Sequence, residues 1–125
     1  MHRDNLGNQG RTAAGDVQVM SAGTGVLHSE HNEEQTPTRL YQIWILPDTQ
    51  NVSPRWETAG FPQAAISERL PVLVSGRKEH QGMGALFIHQ DAAIHGGRLA
   101  ESSMLVHPVK HQAYILVSSG HLTVN

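Results

Sequence analysis

An all-β domain, a sandwich or barrel of many short strands, is the fold class this sequence predicts. Three observations carry it. Short runs rich in β-branched and aromatic residues recur along the 125-residue chain. Gly, Ser, Asp and Asn punctuate them. No stretch sustains the 3.6-residue apolar period of an amphipathic helix.

Val17 and Val19 alternate with polar residues after Gly15-Asp16. In "RLYQIWIL", Leu40, Gln42, Trp44 and Leu46 share one face, and Tyr41, Ile43 and Ile45 the other. A run apolar on nearly both faces predicts a central strand. Further strand candidates are "LPVLVSG", "GALFIHQDA", "SMLVHPV" and "HQAYILVSSGHLTVN". The interval from Pro47 to Arg69 differs. "PDTQNVSPRWETAGFPQ" holds three prolines and no period, which predicts a long surface connection between two units. "AAISERL" is long enough for one helical turn only. Trp44 reads as core and Trp56 as loop packing.

Composition bounds the function. With no cysteine, disulfides and thiolate metal sites are excluded, so any metal must be held by His, carboxylate or water. A formal net charge of −2 gives no footprint for nucleic acid or an anionic membrane. "MHRDNLGNQG" has no apolar signal-peptide core, and no apolar run reaches membrane-spanning length, so an intracellular setting is expected. "GRKEHQGMG" reads as an exposed loop, and Ser21, Ser29 and Ser53 lack a nucleophile elbow. Nine histidines are the compositional oddity. His89, His95, His107, His111 and His121 include no tight ligand pair and read as satisfied or solvated.

"GVLHSEHN" carries the sharpest chemistry. Residues i and i+2 of a strand share a face, so His28 and Glu30 can converge on one ion while Ser29 faces away. Imidazole with carboxylate suits Fe(II) or another first-row divalent ion. Gly23 and Gly25 permit the tight turn that aims this strand. His31 lies at odd spacing from His28 and points elsewhere.

"HRDNLGNQG…GDVQVMSAGTGVLHSEHN…LYQIWILP" resembles the pirin family of the cupin superfamily. The likeness continues through "SPRWE", "FIHQDAAIHGGRL" and "HQAYILVSSGHLTVN" and covers essentially the whole chain. It implies a partial bicupin of the double-stranded β-helix, or jelly-roll, type. Residues 1–50 would be the back of the metal-site cupin, 51–69 a connection, and 70–125 the front of the second cupin. It implies His28 and Glu30 as metal ligands, with Glu30 also the candidate catalytic base, and usually iron as the metal. It implies quercetin 2,3-dioxygenase activity on a flavonoid-like substrate in the full-length form, and nuclear regulatory roles in eukaryotic members.

The family pattern places two more ligands upstream, in two histidines one residue apart. No His-x-His occurs here, and His2 matches a later position that is not a ligand. A half-bicupin window is therefore expected to hold metal poorly and to self-associate through open sheet edges. An open half-sandwich and a permuted single cupin both stay open at this stage. So do three functional readings: dioxygenase, metal-dependent regulator and inactive fragment.

Overall fold

The computed structural model describes residues 1–125. Its strands are β1 (His2–Asp4), β2 (Gln9–Gly10), β3 (Asp16–Ser21), β4 (His28–Glu30), β5 (Arg55–Gly60), β6 (Ala65–Ile66), β7 (Val72–Ser75), β8 (Leu86–Phe87), β9 (Ala93–His95) and β10 (Arg98–Leu99). A single 3-10 turn, Lys78–His80, is the helical content. The all-β class is thus the observed one. Far-ultraviolet circular dichroism of the chain should lack helical minima, and a helix-dominated spectrum would contradict the architecture.

The strands form four small sheets, ordered β2-β1-β4, β3-β5, β8-β7-β9 and β10-β6. The longest ladder is β3 against β5, antiparallel from Asp16↔Gly60 to Ser21↔Arg55. Val17 and Val19 alternate with Gln18, and one face packs inward. The buried apolar residues are Val19 on β3, Val74 on β7 and Leu86 on β8, flanked by Val17, Ala59, Leu73, Ile88 and Ile94. Arg55 ties β5 to β8 by donating to the Phe87 carbonyl (2.8 Å) and lying 5.5 Å from the Phe87 ring centroid. The core therefore draws on both halves of the sequence.

Several expectations are corrected. The proline-rich stretch from Pro47 to Arg69 is not wholly irregular, because it supplies β5 and β6. Pro54 ends just before β5, so the ladder keeps its donors. "AAISERL" forms no helical turn; Ala65–Ile66 pairs in parallel with Arg98–Leu99. "RLYQIWIL" is not a central strand. It joins no ladder, and Trp44 is 88% exposed rather than in the core. Strand propensity is realised only where a neighbour offers matching donors and acceptors, and no segment of this chain does so for residues 39–46. The runs at 103–109 and 111–125 are likewise unpaired, with Met104 and Tyr114 exposed.

The cost is visible as surface. The chain exposes 10,024 Å². A compact monomer of its 13.7 kDa would expose about 6,600 Å². No helix is long and apolar enough to cross a membrane.

Candidate metal centre

The centre grows out of the β1–β4 pairing. Gly23 (φ +52°) and Gly25 (φ +129°) make the turn before β4, in backbone regions that side chains disfavour. At Gly23 any Cβ would also strike the Val52 carbonyl, which accepts the Thr24 amide. β4 then runs antiparallel to β1, with His2↔Glu30, Arg3↔Ser29 and Asp4↔His28 in register.

His28 and Glu30 flank one buried residue, His2, which is 1% exposed. The His28 ring stacks on His2 with centroids 5.8 Å apart. Glu30 Oε1 lies 2.7 Å from His2 Nδ1. On the other side Trp56 lies nearly parallel to His2, at 4.8 Å and 7°. This is a stack of three rings, Trp56–His2–His28. His2 Nε2 faces Asp4 Oδ2 at 3.4 Å, so each imidazole nitrogen meets a carboxylate.

The carboxylates are held in turn. Asp4 accepts the Leu6 and Asn8 amides on Oδ1 and the Asn8 side chain on Oδ2. Gln18 Nε2 donates to Glu30 Oε1 at 2.6 Å. Gln18 Oε1 accepts from Trp56 Nε1 (3.2 Å) and Thr12 Oγ1 (2.9 Å). Partial burial pushes the Glu30 carboxyl up, but the hydrogen bonds from His2 and Gln18 outweigh it and hold it below the usual carboxylate range. Asp4 is also lowered: desolvation opposes, and the Asn8, His2 and Leu6 hydrogen bonds prevail.

Glu30 therefore stays an anion with Oε1 engaged twice and Oε2 turned to neither partner. Its side chain is 38% exposed, and His28 is exposed too. An imidazole and an accessible carboxylate oxygen fit a first-row divalent ion as two of its ligands. They do not enclose it. No group of three His, Asp or Glu side chains is arranged so that it could hold an ion.

The Pirin family profile matches residues 1–45, and that of the quercetinase C-terminal cupin domain matches residues 72–125. The two matches together take in most of the chain, and the resemblance to the pirin family holds on both sides of residues 46–71. A Zymomonas mobilis relative is 46% identical over 98% of the chain and 52% of its own length. The quercetin 2,3-dioxygenase of Escherichia coli K12 is 35% identical over 99% of the chain and 52% of its own length. The chain spans about half the length of the curated relatives it matches. Among solved structures, Escherichia coli YhhW superposes with a TM-score of 0.65 at 38% identity, covering 75% of this chain and 38% of that one. The same bacterial pirin in complex with nickel(II) gives 0.63 at 37% identity, with the same coverage.

The sequence-predicted pair, His28 and Glu30, lies on one strand beside His2. His2, Gln18 and Trp56 were not anticipated as its neighbours. The His2/Asp4 spacing repeats that of His28/Glu30 and offered a signal. Trp56 offered none, since its strand is hidden among prolines. A second histidine group stands elsewhere: His95 contacts His80 and His107 edge-on, at 5.5 and 4.5 Å between centroids. His80 Nδ1 is 2.8 Å from Ser75 Oγ, and His95 Nδ1 is 3.3 Å from the Leu70 carbonyl. His80 also lines a cavity of about 220 Å³ with Ser75, Arg77 and Phe87.

Proposed function

We propose that this chain carries part of the metal site of a pirin-type cupin, with His28 and Glu30 as ligands to Fe(II) or a similar first-row ion. In this reading, residues 1–50 belong to a metal-site cupin and 70–125 to a second cupin, joined through 51–69. The whole protein would act as a quercetin 2,3-dioxygenase on a flavonoid-like substrate. One observation carries the proposal: β4 presents an exposed imidazole and an anionic carboxylate with a free oxygen on the same side. The nickel(II) complex of the similar Escherichia coli pirin supports it.

When bound, the ion supplies Lewis acidity and open positions for dioxygen and a substrate oxygen. His28 would hold the ion by a ring nitrogen. Glu30 would hold it by Oε2 and, while Oε1 is fixed by His2 and Gln18, offer a base for a substrate hydroxyl. Two ligands leave most of the coordination shell to water, so binding by this chain is expected to be weak and easily chelated, with no flavonol turnover. With no turnover expected, the second reading for the chain alone is a metal-dependent binding protein without catalysis.

Anaerobic calorimetric titration with Ni(II) and Fe(II) tests the ligands. His28→Ala and Glu30→Ala are each expected to remove the residual heat of binding. One equivalent of tight binding that survives His28→Ala would overturn the assignment. Flavonol consumption under oxygen, with and without Fe(II), separates enzyme from binding protein.

A further inference from the structure

We propose that Trp56 and Gln18 are positioning residues for Glu30: the indole fixes the Gln18 amide, and the amide fixes the carboxylate. The inference rests on the reading of Glu30 as a ligand, and it adds one residue, Trp56, from outside the matched segments. Trp56 falls between the regions 1–45 and 72–125 that the family profiles cover.

The hydrogen-bond chemistry sets the direction of control. An indole N–H can only donate, and the Thr12 hydroxyl donates to the same atom, so Gln18 must turn its oxygen toward both. Its NH2 group is thereby aimed at Glu30 Oε1, 2.6 Å away. If the amide turned over, its oxygen would oppose a carboxylate oxygen. The second group on Oε1, the His2 imidazole, is held flat against the same indole at 4.8 Å. One side chain thus supports both contacts that fix Oε1 and leave Oε2 for an ion. The seat for the indole is itself built: Gly10 lies opposite His2 in the ladder, and a Cβ there would run into the Trp56 ring. Supporting hydrogen bonds of this kind normally change metal affinity about 10–100-fold when removed.

Trp56→Phe keeps an aromatic ring for His2 and removes the N–H donor together with part of the indole. In the isotopically labelled, ion-free chain, the expected result is a displaced Glu30 carboxyl carbon resonance and altered Gln18 side-chain amide signals. The Val74 and Leu86 amide signals should stay in place. Gln18→Met should displace Glu30 as well, and the double variant should add little to either change, because both break one chain of contacts. An unmoved Glu30 resonance in Trp56→Phe, or fully additive displacements, would overturn the proposal. Should Trp56→Phe disturb the core signals, Thr12→Val decides through the other donor to Gln18 Oε1: it should shift the same Glu30 carbon, and no shift would count against the amide lock. Ni(II) titration is a separate arm. There Trp56→Phe is expected to weaken binding about tenfold. If Glu30→Gln leaves Ni(II) affinity unchanged, the ligand reading fails, whereas the carboxyl resonance still decides the positioning.

Discussion

In sedimentation velocity at micromolar concentration, the chain is expected to run as self-associated species, and Trp44→Asp to shift it strongly toward monomer. The reason is surface. The 10,024 Å² exposed exceeds the roughly 6,600 Å² of a compact monomer by more than 3,000 Å². Much of the excess is apolar: Leu40, Tyr41, Ile43, Trp44 and Leu46 stand exposed in a row, with Tyr114, Ile115, Leu116 and Val117 in another. Their backbone groups join no ladder, so each row can accept a strand. Covering one large side chain contributes about 1.5–3 kcal/mol. Placing a carboxylate at Trp44 should therefore weaken association on the order of tenfold or more. A concentration-independent monomer with a cooperative melt would contradict this and would favour closure as a single cupin.

The chain should also lose stability as pH falls below neutrality, and His95 should account for the first part of the loss. Burial lowers His95 below its ordinary 6.5; the Leu70 carbonyl opposes this, and His107, His80 and Arg77 add to it. Arg77 is paired with Asp91, which tempers its share. A depressed folded-state pKa means that the unfolded chain binds the proton more readily. The His95 contribution is thus complete above its unfolded value and fades as pH drops through the lower folded value. Glu30 and Asp4 are depressed too, from 4.5 and 3.8, so their contributions fade only in a more acidic window. Urea midpoints at about pH 7.5 and 5.5 measure the first window. His95→Asn should flatten that slope. A slope left unchanged would remove His95 as its source.

The legibility of this molecule follows local chemistry. Gly15-Asp16 with alternating valines was enough for β3, and "LPVLVSG" for β7. The paired spacing of His28 and Glu30 was enough to place them on one strand face. Pairing partners were not legible, because a ladder depends on what lies across from a strand. "RLYQIWIL" has the strongest strand signal in the chain and no partner, whereas "RWETAG" has a weak signal and pairs along the whole of β3. Trp56 was hidden for the same reason: its role arises from a ladder that brings β5 beside Gln18, not from its own neighbours in sequence. Nor could spacing alone reveal that His2 would be buried between Trp56 and His28.

The β3–β5 ladder also sets an order of assembly. Its nearest pair, Ser21↔Arg55, closes a loop running from residue 22 to residue 54. Closing a loop of this size costs about 3 kcal/mol of chain entropy before any contact forms. Folding that waits on such distant partners is slow. The loop holds both β4 and the exposed row Leu40–Leu46. Until it closes, Trp56 is not delivered to Gln18 and His2, so the surroundings of Glu30 mature late. The stickiest segment is in solution throughout that delay and remains exposed once the ladder has closed. Yield on refolding should then fall with chain concentration, because zipping the ribbon leaves that row uncovered.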